Sequence, residues 1–572
     1  MTAVWGIYAQ LQPDVMWIED DLRNFNHDPV QYGCFCDRHL DRFKSLVGEH
    51  VAREALVSHL LASGTPHPYR EAYLSMQGEI TNEIVEKLSG ALRTTAPETT
   101  IGLMSSGPFL HVVEGRDWTG LAETSHCHPL ISRPPLGNYS EGSLRGLYAS
   151  QHSIKLTRAA LPAGTVEMTE IENIPFTQYT KSNAFTFLQM AISFAMGCEG
   201  VTLNTFDHRG SLMEDDPGVG KMLGGKKAYL SAIKQAANGE GANRGAQLLF
   251  DPHYSFRKHL PKDASYSALA VTDEAASRML EPLGIPCTYG DAPVTVVTGQ
   301  MLRCLTDADI RDLLRKGLLI DSVAAGILSE RGFGAHIGVA SLGTRISLKH
   351  NGPYAAEEYF NEDFGGEPND FLTIFLPEYG SMPTIRKFEL LQEVTVISHL
   401  VDADRAPREP VLFVTDNALG GRVAVFAYEL GEAVGTAFYH AARRRQMVHL
   451  MKWLSNDRFP AIVHGAVYPL LICRDRPGET FCALFNLMLD PYEKVSIELY
   501  DQRVISRISS LSNDGRWVDA SQHTLIETDR DHHLITLNQS VTWSTPCCLN
   551  VSWEEKSTLR QRSYPKANEQ ER

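Results

Sequence analysis

"TVEMTEIENIPFTQYTKSNAFTFLQMAISFAMGCEGVTLNTF", residues 165–206, decides the fold. Its first eight residues alternate as a strand, its centre from 181 to 197 repeats apolar residues at three and four as a helix, and "GVTLNTF" closes it as a second strand. Strands alternating with helices are the signature of a parallel sheet, so the stretch predicts an α/β domain. Strand alternation puts Glu170 and Glu172 on one face and Glu167 on the other. Two carboxylates at a strand end are costly unless they are ion-paired, hydrogen-bonded or used, and structural pairing and catalysis are both open readings.

Working outward, the same pattern recurs upstream. "DVMWIE" from 14, "TTIGLMS" at 99–105 and "HPLISR" at 128–133 are three further short apolar runs, with a helical pattern at 68–94 between the first two. "DVMWIE" runs into Glu19, Asp20 and Asp21, a second acidic strand end, where a solvated turn is the plain alternative. Downstream, residues 256–390 read as a second α/β region resembling a small flavodoxin-like sheet, with strands "YSALAVTD", "VTVVTG" and "LLIDS". Residues 391–556 carry dense alternating strand patterns and one helix at 440–455, and read as a β-rich domain. Residues 557–572 are polar and read as a disordered tail.

The 572 residues carry a formal charge of -16, which argues against a nucleic-acid or anionic-membrane surface and leaves a neutral small molecule as the fitting partner. No apolar run has membrane-spanning length, and the start, "MTAVWGIYAQLQPD", lacks a signal-type pattern. Ten scattered Cys agree with a cytoplasmic protein holding reduced thiols. The Gly-rich "DDPGVGKMLGGKK" misses the spacing of a phosphate loop and reads as a flexible loop before a helix; no cofactor is implied.

Two acidic strand ends suit glycoside hydrolysis, in which one carboxyl group protonates the leaving oxygen and a second attacks or assists at the anomeric carbon. An acidic strand end followed by "GCFCDRHLDRF" (33–43), then "EIENIP" (170–175), "FLQMAISFAMGCEG" (187–200) and "VTLNTFD" (201–207), resembles the β-galactosidases of glycoside hydrolase family 42 and their clan A relatives. "LLIDSVAAGILSERGFGAHIGV" (318–339) is similar to the trimerisation domain of that family and "ALFNLMLDPYEKVSIEL" (483–499) to its terminal β domain.

The resemblance implies a (β/α)8 TIM-type barrel, a homotrimer, and a retaining exo-β-glycosidase of β-galactosidase type acting on a small carbohydrate. The family acid/base is a Glu in an Asn-Glu pair, onto which Asp20 and Asp21 fall; Asp21 is then the acid/base and Asp20 its alternative. The family nucleophile lies three residues before a Pro, which selects Glu172 ahead of Pro175, with Glu170 the alternative. If "DVMWIE" is the fourth barrel strand, "TVEMTEIE" is the third strand after it, and the first three βα units are absent. The expectation is therefore an amino-terminally truncated barrel. Two other functions stay open: a catalytically inactive carbohydrate-binding or assembly protein, and a β-glucosidase or α-L-arabinopyranosidase.

Trp17 and Phe206 at strand ends could stack on a sugar ring, and Arg133 and Asp207, with His208 and Arg209, could bind its hydroxyls; core packing and capping are the competing uses. Ser105, Ser106, His111 and Glu114 could line the pocket or fix the loop. Cys34, Cys36 and His39 resemble a zinc cluster that some family members carry beside this loop, but a closed zinc site needs four ligands and the family's remaining Cys is missing here, so they read as two buried thiols and a helix-surface His, with no metal.

Overall fold

The computed structural model describes residues 1–555 except 20–21, 26–32, 206, 209, 211, 213, 216, 240, 272–273, 349–352, 374–383 and 434–437. Five strands, β1 (Val15–Ile18), β2 (Thr100–Met104), β3 (Ile131–Arg133), β4 (Val166–Glu172) and β5 (Gly200–Asn204), form one parallel sheet in chain order. The sheet is a curled half-barrel with helices outside it, so the α/β reading of 165–206 holds. Among the described residues β1 and β5 are its edges.

Alternation along each strand sorts the side chains. Ile18, Ile101 and Leu103 join helix Pro68–Thr95 in one buried cluster, and Ile171 joins helix Asn183–Ala195 in another. The opposite, concave side takes the residues in register with Glu170 and Glu172, namely Thr202 and Asn204. Helix Asn183–Ala195 starts where Ser182 Oγ accepts the Phe185 N–H at 3.1 Å, a cap worth about 1 kcal/mol. Gly102 lies under Trp17, and a Cβ there would fall 2.3 Å from the indole Cε3. The small residue lets the ring lie across β2.

Residues 246–426 build a nine-stranded mixed sheet. Strands Cys287–Thr288, Ala246–Leu248, Val294–Val297, Gly317–Ile320 and Arg422–Phe426 are parallel neighbours in that order. Pro407–Asp416, Thr395–Val401, Ala356–Tyr359 and Phe371–Thr373 continue it antiparallel. Strands 395–401, 407–416 and 422–426 thus belong to this sheet and not to the terminal β region that sequence patterning assigned them to. Alternation reports that a segment is a strand, not which sheet completes its hydrogen bonds. "YSALAVTD" is also not a strand: Tyr266–Leu269 is a 3-10 turn whose Tyr266 hydroxyl donates to Val113 O at 2.7 Å. The Gly-rich stretch begins helix Gly218–Ala237, because Tyr229, Leu230 and Ile233 bury one of its faces.

Two antiparallel sheets of four and five strands follow, between Ala461 and Glu554. In "PLLIC" from 469, Leu471 and Cys473 face the cluster between these sheets. Leu470 and Ile472 turn the other way, into the cluster that holds Phe185, Leu188 and Ile233 of the half-barrel's helices. One apolar core therefore spans the half-barrel and the last β-sheet. No described helix is long and apolar enough to cross a membrane.

Candidate active site

Because the five strands are parallel, all their carboxyl ends open on one rim, where loops can gather polar side chains. β4 delivers Glu170 and Glu172 there. Arg133, ending β3, reaches between them: its Nη2 lies 2.9 Å from Glu170 Oε2 and its Nη1 3.8 Å from Glu172 Oε1. Tyr139, in the loop after β3, donates its hydroxyl to Glu170 Oε1 at 2.8 Å. Asn204, ending β5, approaches Glu172 Oε1 at 3.4 Å. The two carboxylates differ in their surroundings. Glu170 is buried and fixed by an arginine and a tyrosine, whereas Glu172 is 18 % exposed and held only at longer range.

Lys181 ties the strand end down, donating to Glu172 O at 2.7 Å and to Gln189 Oε1 at 2.8 Å. Burial pulls its ammonium to about 8, against the opposing pull of Glu172 and Glu141. Four buried polar atoms around the strand ends, Ser105 Oγ, Arg133 Nε, Asn173 Oδ1 and Thr205 Oγ1, have no hydrogen-bond partner among the described residues. Buried polar groups are normally satisfied by protein or ordered water, so these atoms are open to hydrogen bonds from water or from a bound polar molecule. Glu167 belongs to the outer face, paired with Arg158 and 3.5 Å from Cys198 Sγ.

Asp20, Asp21, Phe206 and Arg209 lie outside the described residues. The chain that follows them is anchored at Leu22, Arg23 and Asn24. Glu114 Oε2 accepts the Asn24 N–H at 2.5 Å, Arg116 donates to Leu22 O, and Arg23 donates to Ser106 Oγ at 3.0 Å. Glu114 also receives Arg116 Nε and faces His111 Nδ1 at 2.8 and 2.7 Å. Burial opposes its charge, but Arg116 and His111 outweigh it and hold the carboxyl at about 2. Burial, helped by Arg116, keeps His111 neutral, at about 4. Of the two readings of His111 and Glu114, the loop-fixing one describes these contacts.

Trp17 is half-buried against Gly102. Asp207 is partly buried beside β5, and His208 stacks on Phe176 with ring centres 4.7 Å apart, joining the loops after β4 and β5. Tyr139, Lys181 and Asn204 were not singled out in the sequence. Each is a common residue in a loop or at a strand end, and only the register of β3, β4 and β5 gathers them.

Cys34, Cys36 and His39 do converge, their ligand atoms all within 4.8 Å of one another. Cys36 is exposed, so the reading of two buried thiols fails there. The His39 N–H lowers the Cys36 thiol's pKa, while burial raises that of Cys34. His39 Nδ1 sits 3.0 Å from Cys34 O, an outer contact that would orient the ring and leave Nε2 to a metal. Two sulfurs and an imidazole fit three of the four positions of a zinc site.

No protein-family model and no curated protein matches the sequence. Solved structures do. The α-L-fucosidase isoenzyme 2 of Paenibacillus thiaminolyticus superposes with a TM-score of 0.64 at 12% identity, over 97% of this chain and 80% of that one. The cold-adapted β-galactosidase of Rahnella sp. R3 gives 0.56 at 13% identity, over 94% and 81%. A glycoside hydrolase family 42 β-galactosidase from G. stearothermophilus gives 0.54 at 12%, over 88% and 77%. The chain has a family 42-like glycoside hydrolase fold.

Proposed function

We propose that the protein is a retaining exo-β-glycosidase of β-galactosidase type, with Glu172 as nucleophile and Asp21 as acid/base. The observation that carries this reading is the Glu170–Arg133–Glu172 arrangement on the carboxyl-end rim. A nucleophile must face the substrate while its neighbours fix its direction. Glu172 is the more open carboxylate, whereas Glu170 is spent on Tyr139 and Arg133 and serves the site by holding Arg133 in place. β1 runs parallel to β4, so the chain leaves β1 after Ile18 on the same rim. In a retaining enzyme the second carboxyl group stands about 5–5.5 Å from the nucleophile, protonates the leaving oxygen, and then activates the water that releases the sugar. The orphaned polar atoms of Ser105, Asn173 and Thr205 would bind sugar hydroxyls, and Trp17 is the aromatic wall.

Hydrolysis of nitrophenyl β-D-galactoside tests this. Glu172→Gln is expected to abolish turnover, and Asp21→Asn to lower it by about 10²–10⁴, the usual worth of a general acid. Full activity in Glu172→Gln with loss in Glu170→Gln would move the nucleophile one pleat inward. Turnover of nitrophenyl β-D-glucoside or α-L-arabinopyranoside in preference to the galactoside would change the sugar and leave the mechanism.

A further inference from the structure

A second site lies on the outer side of helix Leu147–Ala160. There a cavity of about 250 Å³ opens between that helix, helix Glu274–Leu280, Tyr439 and Tyr468. Its walls are aromatic: Tyr148, Tyr439 and Tyr468 line it, the last two meeting edge to face with ring centres 5.2 Å apart. Two guanidinium groups, those of Arg145 and Arg278, flank it. Arg145 lies 3.9 Å from the centre of the Tyr468 ring, and Tyr439 fixes the backbone of Arg278 by donating to its carbonyl at 2.7 Å. Neither arginine has a carboxylate at ion-pair distance among the described residues.

His152, from the same helix, lines the cavity. It is 95 % buried, and neither of its ring nitrogens has a hydrogen-bond partner. Burial, with Lys155 and Arg278 nearby, keeps it neutral, at about 3. A neutral imidazole offers one donor and one acceptor, the pair that a sugar hydroxyl answers. A buried side chain left without either bond is costly, and a ligand that supplies them offsets the cost.

We propose that this cavity binds a single pyranose unit carrying a carboxylate or sulfate. The tyrosine rings take its face, Arg145 and Arg278 its anion, and His152 one hydroxyl. The anion follows from the two cations. The choice of a sugar over another small ring rests on the glycosidase reading. The cavity is below the usual 300–1,000 Å³ of drug-sized pockets, which limits the ligand to about one ring. The site is separate from the carboxylates but linked to them. Residues 134–146 join the two, with Tyr139 on Glu170 at one point and Asn138 Nδ2 on Gly146 O at 2.7 Å, next to Arg145.

Isothermal titration of the full chain with galacturonate, galactose 6-sulfate and neutral galactose tests the proposal. Both anionic sugars are expected to bind at millimolar concentration or below, and the tighter of the two identifies the anion. Arg145→Gln/Arg278→Gln should weaken them at least about tenfold. Tyr468→Ala, which keeps both charges, should weaken them as well, and Glu172→Gln should leave them unchanged. Circular dichroism confirms that each variant folds. No saturable binding of either anionic sugar, equal binding of galactose, or binding that survives the double arginine change and disappears in Glu172→Gln would overturn the site. Nitrophenyl galactoside hydrolysis is scored in parallel, so a failed glycosidase reading shows there and not in the titration.

Discussion

Glu114→Gln should damage the protein out of proportion to one lost negative charge. The carboxylate is 1 % exposed and serves Asn24 N–H, Arg116 and His111 together. The amide keeps one acceptor but turns an N–H₂ group towards donors, and it deprives the buried Arg116 of its counter-charge. Breaking a buried ion pair from one side costs about 3–5 kcal/mol. A carboxyl depressed from 4.5 to about 2 independently corresponds to about 3 kcal/mol of stability at neutral pH. Because the half-barrel shares a core with the last β-sheet, the cooperative unit is larger than about 250 residues, and the fall in Tm is smaller than the roughly 6–12 °C that a unit of about 150–250 residues would show.

The sign of the pH dependence follows from the depressed value. The stabilisation is complete above 4.5 and drains away as pH falls towards 2, so wild type and variant should converge in acid. Thermal unfolding by circular dichroism across that range measures the gap. Because Glu114 holds Asn24 and Arg116 holds Leu22, the proposed glycosidase turnover should also fall at temperatures where the variant is fully folded. A gap under about 1 kcal/mol at neutral pH, or one that stays constant into acid, would refute the argument that this cluster is a charged, loop-holding device.

Other tests address separate parts of the chain. Gly102→Ala places a methyl group 2.3 Å from Trp17 Cε3, and overpacking of this kind costs about 1–3 kcal/mol; a shifted tryptophan emission maximum reports the displaced ring. Elemental mass spectrometry of the purified protein tests the Cys34, Cys36 and His39 cluster: zinc held there should be lost in Cys36→Ser, and its absence from the wild type removes the metal reading. The resemblance also implies a trimer, and sedimentation at micromolar concentration should give a mass three times that of the chain; a single monomeric species would remove that expectation.

The five strands of the half-barrel were legible because each is an apolar run bounded by turn residues, and the split of Glu167 from Glu170 and Glu172 follows from a two-residue period. What a period cannot carry is partner choice. Thr395–Val401 alternates like any strand of the last β-sheets, yet its hydrogen bonds go to Ala356–Tyr359 and Pro407–Asp416. The candidate site was half visible for the same reason. Carboxylates at strand ends stand out, but the Tyr139 hydroxyl reaches Glu170 across 31 residues of chain, and no spacing rule points to it. Helix Gly218–Ala237 shows the converse, a local glycine preference overridden by the apolar face of Tyr229, Leu230 and Ile233.

The core shared by the half-barrel and the last β-sheet also limits what evolution or an engineer can exchange. Phe185, Leu188 and Ile233 stand on the helices behind the carboxylates, and they are sealed by Leu470, Ile472, Phe481 and Phe485 from residues synthesised some 250 positions later. Tyr229 fastens the seam by donating to Pro546 O at 2.6 Å. The wall behind Glu172 is thus completed only when residues 470–546 arrive. A recombination junction placed between the two would hand each daughter a raw apolar surface, so the strands that bear the carboxylates and the sheet that closes over their helices must be inherited together.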